Sequence, residues 1–350
     1  MDLFKDMLKD NESLFKNEPA LDFEHLPEEM PCRENQQEYV AECIKPLGQG
    51  RQGKSLLIRG APGIGKTTCI KYVFRELSEH TDDIKPVFIN CWRKQTTNSV
   101  LTDVASQMGS VNPQFKTNED LWEQIRKMVY RFKGIAIALD EIDKAKEYDF
   151  LYQIVENIPK FTLIMITNEK GFLATMDQRI RSRLVVEELE FPPYKRDEVK
   201  TILENRKKEA FAPGSWGKEA FDLVVERCYP HSDIRAGLVL MREAGREAEK
   251  NAAKKITVEH VMRAKSGVVE AQIESSSALD EREKKVLRVI KDNKGIETGK
   301  LAIALKEEGL DVPDSTLRRI LQKLDKGGYM FRESAQGENG GQTMKHYVDE

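Results

Sequence analysis

Between residues 55 and 168 the chain alternates short, almost wholly apolar runs with longer stretches in which apolar residues recur every three or four positions. The short runs are SLLIRG (55–60), PVFINC (86–91), IAIALDE (135–141) and FTLIMITN (161–168), and each reads as a strand buried on both faces. A helix is predicted over 34–46, where Tyr39, Val40, Cys43 and Ile44 share one face. TTCIKYVFREL (67–77) and a stretch between about 98 and 132 are also predicted helical. Buried strands alternating with helices predict an α/β fold with a parallel sheet covered on both sides. Residues 1–32 are polar, carry Pro19, Pro27 and Pro31, and read as an arm.

After FPPY (191–194) the pattern turns wholly helical, with candidate helices at 195–210, 217–228, 232–251 and 257–265. Residues 266–280 hold no sustained period and contain Ser266, Ser275, Ser276 and Ser277, which marks a linker. Beyond it, a helix over 280–291 places Val286, Leu287 and Ile290 on one face, and 298–307 offers Leu301, Ala304 and Leu305. The helix 315–326 carries the stripe Leu317, Ile320, Leu321 and Leu324, with Asp314 or Ser315 placed to cap it. Residues 328–348 read as two strands joined by a glycine-rich turn. Three helices and a hairpin make a winged helix, which presents its third helix to the major groove of DNA.

At 350 residues the chain suggests two or three domains, and 39% hydrophobic with 33% charged residues is a globular composition. No apolar run approaches the roughly 18 residues of a membrane span, and the start, MDLFKDMLKD, is too charged for a secretory signal. A cytoplasmic, nucleoid-associated protein with no membrane partner is the expectation. The cysteines Cys32, Cys43, Cys69, Cys91 and Cys228 are scattered and never spaced as CxxC, so reduced thiols are expected rather than a disulfide framework or zinc site. Cys69 reads as packing for the helix it lies on. Trp92, Trp122 and Trp216 read as core or lid anchors, and 241–255 as a helix face of alternating charge. A net charge of -3 does not announce nucleic-acid binding, so any DNA contact must come from local patches.

The sharpest chemistry lies at GAPGIGKT (60–67), which fits G-x-x-x-x-G-K-[ST] between a predicted strand and a predicted helix. Gly60, Ala61, Pro62, Gly63, Ile64 and Gly65 would turn their backbone N–H groups around a phosphate at the positive end of the helix. Lys66 would reach the outer phosphates, Thr67 would ligate Mg2+, and Thr68 completes the nucleotide-binding run. In IAIALDEID (135–143), a buried strand ends in two carboxylates at the sheet edge where open α/β sheets bind ligands. Asp140 would hold the magnesium shell and Glu141 would orient and activate water. ATP or ADP with Mg2+ is the implied cofactor set.

Around these motifs the chain resembles the AAA+ ATPases, and within them the archaeal replication initiators related to the eukaryotic origin-recognition complex and its cell-division-cycle loading partner. The resemblance rests on PEEMPCREN (27–35), FINCWRKQTTNSVLTDVASQM (88–108), LDEID (139–143), ITN (166–168), MDQRIRSRL (176–184), FPPY (191–194) and SDIRAGLVLMREAG (232–245). It implies an AAA+ P-loop module (1–194, with the arm), an all-helical lid (195–266), a linker (267–279) and a winged-helix domain (280–350). It further implies that Asn168 is sensor 1, Arg235 is sensor 2, and Arg33 and its neighbours form the segment lining the adenine pocket. An arginine of RIRSR would be the finger reaching a neighbouring subunit's ATP, with Arg179 and Arg183 as candidates and Arg181 third. SDIR and MDQR depart from the family's usual glycine–aspartate–alanine–arginine and leucine–aspartate–proline–arginine while keeping the arginine.

The implied activity is slow, switch-like ATP hydrolysis in an initiator that grips origin duplex DNA, self-associates on it and recruits a helicase of the minichromosome-maintenance type. On the winged helix, Ser315, Thr316, Arg318, Arg319, Gln322 and Lys323 would face DNA, with Arg332, Gln342, Lys345 and His346 from the wing. Over 278–350, 14 Lys+Arg balance 14 Asp+Glu, so it is the resemblance rather than charge that favours DNA over a protein partner. The insertion at about 94–122, through Lys94 and Lys116, is a second expected DNA contact. A DNA motor of the branch-migration type, or a diverged initiator acting as a DNA-binding regulator, stand as alternatives.

Overall fold

A computed structural model describes residues 13–264, 281–326 and 330–347, except 111, 112, 115, 170, 230–232, 294 and 337–341. The linker expected at 266–280 lies outside the described residues. Two units form: one of residues 17–210 and 225–238, the other of 211–224 and the chain from 239, with the N-terminal residues up to 16.

The first unit opens with α1 (Glu34–Gly48), β1 (Ser55–Arg59), α2 (Lys66–His80) and β2 (Ile84–Asn90). Next come α3 (Thr97–Gln107), α4 (Asn118–Val129), β3 (Gly134–Asp140), α5 (Asp149–Asn157) and β4 (Phe161–Thr167). It closes with the short α6 (Phe172–Thr175) and α7 (Gln178–Arg183), β5 (Val186–Glu190) and α8 (Arg196–Ala210). The strands form one parallel sheet in the order β2-β3-β4-β1-β5. Every residue of β3 and β4 is buried, as their unbroken apolar runs require of strands covered on both faces. The single helical stretch expected at 98–132 is two helices, each opened by a capping box, from Thr96 to Ser99 and from Thr117 to Asp120.

The pattern of apolar residues did not announce β5. Its sequence, VEELE, has three carboxylates and no apolar alternation, yet it pairs along β1 from Ser55↔Val186 to Arg59↔Glu190. Two of those carboxylates are matched by neighbours: Tyr39 and Lys54 bond Glu187, and Arg59 pairs with Glu188. An edge strand with one side in solvent tolerates such charge. The arm also differs from expectation over its described part. Ala20 and Leu21 are fully buried around a 3-10 turn, Glu18–Leu21, and Arg206 of α8 donates to Ala20 O (3.2 Å) and His25 O (3.0 Å). Polar composition concealed this because main-chain carbonyls, not an apolar run, make the attachment. Trp122 and Trp216 are buried as expected, but Trp92, in the turn after β2, is 55% exposed and anchors no core.

The second unit includes the aromatic cluster Phe15, Phe211, Trp216 and Phe221, with successive ring centroids 4.8, 5.3 and 6.1 Å apart. The helices α9 (Lys218–Cys228) and α10 (Ile234–Lys250) run through both units, and a further helix, α11, covers 258–264. Its C-terminal part is α12 (Glu281–Asp292), β6 (Ile296–Glu297), α13 (Thr298–Glu307), α14 (Asp314–Lys326), β7 (Phe331–Gln336) and β8 (Gln342–Tyr347). Val286, Leu287, Ile290, Leu301, Leu305 and the α14 stripe close one apolar core beside an antiparallel sheet of order β6-β8-β7. This is the element order of a winged helix, with the two-residue β6 too short to leave a sequence signal. No described helix is long and apolar enough to cross a membrane.

Arg206 carries the attachment of the N-terminal segment, so Arg206→Met, which keeps the apolar stem, leaves two carbonyls without their donor. A loss of about 2 kcal/mol in unfolding free energy is expected from urea denaturation. A midpoint unchanged from wild type would refute that role.

Candidate nucleotide site

Because the sheet is parallel, the carboxyl ends of β1, β3 and β4 meet at one edge, and the loops leaving them wall a cavity of about 290 Å³. The loop after β1 needs left-handed backbone at Gly63 (φ +75°) and Gly65 (φ +85°). At Gly63 space forbids a side chain as well, since a Cβ would fall 2.1 Å from Asp233 Oδ1. Gly65 caps α2, whose first turn carries Lys66, Thr67 and Thr68 into the cavity wall.

Lys66 is buried, and its Nζ donates to Gly60 O (2.8 Å), Ala61 O (2.7 Å) and Asn168 Oδ1 (2.7 Å). Burial, with Arg235 adding repulsion against the carboxylates of Asp140 and its neighbours, pushes the amine down to about 8. Thr67 Oγ1 donates to the Asp140 carboxylate at 3.0 and 3.1 Å. Burial drives that carboxyl up to about 6 against the hydrogen bond from Thr67. Cys91 N holds the end of β3 through Asp140 O at 2.8 Å. Glu141 follows in left-handed conformation (φ +53°), an uncommon state for a residue with a side chain, and lines the cavity. Arg235 also lines it, held by Asp233 through Nε (3.0 Å) and Nη2 (2.8 Å). The geometry thus gathers Lys66, Thr67, Asp140, Glu141, Asn168 and Arg235, which lie far apart in sequence, around one space.

Arg33 departs from expectation. It is buried behind the loop, donates to Ile64 O (3.2 Å) and Pro192 O (2.7 Å), and stacks 3.8 Å from the Tyr194 ring centroid. Its guanidinium is spent on those carbonyls, and its neighbours Met30 and Pro31 line the cavity instead. Ile64 is fully buried and does not line the cavity. Phe23, Leu26, Ile202, Asn205 and Arg206 also line the cavity, none of them singled out by the sequence. Ile202, Asn205 and Arg206 share a helix face by their spacing, a signal visible only once α8 is known to border the cavity. Lys71, one turn past Thr67, was equally silent. Cys69 is fully buried beneath the loop, its thiol pushed up to about 12 by burial, which fits a packing role.

The arginines of α7 lie elsewhere. Arg179 is 82% exposed and paired with Asp177 at 3.0 Å, Arg181 is exposed, and Arg183 pairs with Glu156 over the Tyr152 ring. In the second unit Ser315, Arg318, Arg319 and Gln322 are exposed on α14 and Thr316 and Lys345 half-buried. The side chains of Lys323, Arg332 and Gln342 lie outside those described. His346 corrects the expected wing surface: it is 1% exposed, with Nε2 2.8 Å from Thr298 Oγ1, because its side chain lies on the face of β8 covered by the start of α13. Lys94, of the second expected DNA contact, lies 3.9 Å from Asp103.

A family described as an AAA domain matches residues 49–172, and one described as a Cdc6 AAA+ ATPase-type lid domain matches 200–266. Over 291 residues the chain is 31% identical to the ORC1-type DNA replication protein of Methanocorpusculum labreanum, covering 76% of this chain and 68% of that one. It is 34% identical over 268 residues to ORC1-type DNA replication protein 1 of Sulfurisphaera tokodaii, covering 72% and 66%. The chain belongs to the ORC1-type DNA replication proteins. Its fold is similar to that of the Aeropyrum pernix ORC1 protein solved in complex with DNA, at 28% identity and a TM-score of 0.69, over 96% of this chain and 94% of that one. It is an AAA+ ATPase.

The ammonium form of Lys66 is the one that attracts phosphate. Its pKa in the free protein is depressed to about 8, and a bound polyphosphate raises it again. ATP affinity should therefore be flat below pH 8 and fall, by up to about tenfold per pH unit, as the pH rises above it. Calorimetric titration from pH 7 to 9.5 measures this, and Lys66→Arg, whose guanidinium does not titrate there, should flatten the curve.

Proposed function

We propose that this ORC1-type protein is an ATP-controlled initiator that binds duplex DNA through its winged helix and helps recruit the replicative helicase. The observation that carries the reading is the joint presence of a P-loop cavity lined by Lys66, Thr67, Asp140, Glu141, Asn168 and Arg235 and an α14 face presenting Arg318 and Arg319 to solvent. In the nucleotide site Lys66 neutralises the outer phosphates, Asn168 contacts the terminal phosphate or the attacking water, and Arg235 reaches the same charge from α10. The Thr67 hydroxyl and Asp140 carboxylate, hard oxygen donors about 3 Å apart, suit Mg2+ and would hold it with the phosphates. A bound Mg2+ supplies charge neutralisation on the phosphate oxygens. Glu141 orients water as general base.

Arg318, Arg319, Ser315 and Thr316 contact phosphates or bases, joined by Lys323, Arg332 and Lys345. The Aeropyrum pernix ORC1 protein, similar over nearly the whole chain, was solved in complex with DNA, which supports this partner. One arginine of α7, with Arg179 and Arg183 as the candidates and Arg181 third, serves a neighbouring copy's ATP when copies assemble on DNA, their exposure on α7 being compatible with that role. The helicase partner, of the minichromosome-maintenance type, is an extension from the family.

Two measurements test the reading. Fluorescence anisotropy with duplex DNA at fixed salt, with ATP, ADP or neither, should give nucleotide-dependent binding that Arg318→Ala/Arg319→Ala weakens roughly tenfold or more. Absence of binding in every state would make the winged helix a protein-docking module. Glu141→Gln should retain ATP binding and lose most turnover, and unchanged turnover would remove Glu141 from its role.

A further inference from the structure

Asp143 stands two residues beyond Glu141 with a side chain only 1% exposed, and its carboxylate faces β4 rather than the cavity. Lys144 Nζ lies 2.7 Å from Oδ2, and Thr167 Oγ1 lies 2.6 Å from Oδ1. An ionised carboxylate only accepts hydrogen bonds, so the Thr167 hydroxyl donates its one proton to Asp143. Its lone pairs are then turned to Glu169 N, which donates to Thr167 Oγ1 at 3.0 Å and closes a turn on that hydroxyl. Asn168 is the middle residue of this turn, and its Oδ1 accepts from Lys66 Nζ at 2.7 Å. Thr167 is 1% exposed, so no solvent stands ready to replace either bond.

We propose that Asp143 is a positioning residue which, through Thr167, fixes the turn carrying Asn168 and so sets the sensor amide against Lys66. The inference rests on the reading of Asn168 as the group that meets the terminal phosphate or the attacking water. The 3-10 turn Ile142–Lys144 that begins at Glu141 also carries Asp143, and β3 and β4 are in register up to Leu139↔Met165. One carboxylate therefore ties the strand end that bears the general base to the strand end that bears the sensor. Movement of either turn is transmitted to the other through this buried hydrogen bond, which in its low-dielectric setting is costly to leave unmade, beside the more exposed Lys144–Glu169 pair at 3.8 Å.

The test uses the full chain and reads both turnover and equilibrium ATP affinity. Thr167→Val removes both bonds at nearly constant volume. It should lower kcat roughly ten- to a hundredfold while changing the Kd for ATP by less than about threefold. Thr167→Ser, which keeps the hydroxyl, should return kcat to within about threefold of wild type. Asp143→Ala should resemble Thr167→Val, and the double variant should be no worse than either alone, as expected of groups acting through one bond. If Asp143→Ala does not fold, the Thr167 pair still decides the matter. Wild-type kcat in Thr167→Val, an equal loss in Thr167→Ser, or a Kd that rises as far as kcat falls would each overturn the proposal. Asn168→Ala separates its failure from that of the underlying reading. Normal turnover in Asn168→Ala overturns both, whereas impaired turnover there with normal Thr167→Val overturns this inference alone.

Discussion

Lys66, Asp140, Glu141 and Asn168 all hang from the carboxyl edge of a single parallel sheet, and that shared edge is the constraint on which the candidate nucleotide site depends. Lys66 follows β1, Asp140 ends β3 and Asn168 follows β4, so strand register alone brings them together. The strands are buried on both faces and cannot slide without exposing apolar side chains, so the edge is rigid before any ligand arrives. The site inherits its precision from the core.

That arrangement concentrates opposed charges in a poorly hydrated place. Lys66 is driven down toward 8 and Asp140 up toward 6 by the same cause, burial, and each is partly compensated by a neighbour. In the protein alone, Lys66 is satisfied by two loop carbonyls and Asn168, and Asp140 by Thr67. These are the contacts a polyphosphate would take over. Arg33 contributes from behind by fixing Ile64 O and Pro192 O, which holds the loop against Tyr194.

Some of this was legible in the chain. The P-loop and the LDEID strand end were visible because their chemistry demands particular residue types at fixed spacing beside a strand. The strands β1, β3 and β4 were visible because burial on both faces leaves an uninterrupted apolar run, whereas β2, at the sheet edge, showed only the short apolar run 86–89 and is buried at Ile84, Val87 and Ile89. VEELE was not visible, since an edge strand stabilised by Arg59, Lys54 and Tyr39 has no apolar period to show. Arg33 could be recognised by resemblance but not placed, because whether a guanidinium faces a cavity or braces its back depends on which carbonyls lie in reach. His346 was misread for a similar reason: alternation along a strand gives two faces without saying which one is covered.

Local sequence therefore determined which segments are helices and buried strands, and which residues are chemically able to hold a phosphate, a cation or a water. It did so because backbone preference, apolar periodicity and functional-group chemistry are properties of a few consecutive residues. Tertiary structure alone decided which distant groups meet: Asn168 with Lys66, Asp143 with Thr167, Asp233 with Gly63, and α8 with the segment around His25. Those pairings are set by strand order and helix packing, which balance burial over the whole unit, and no window of sequence contains that balance.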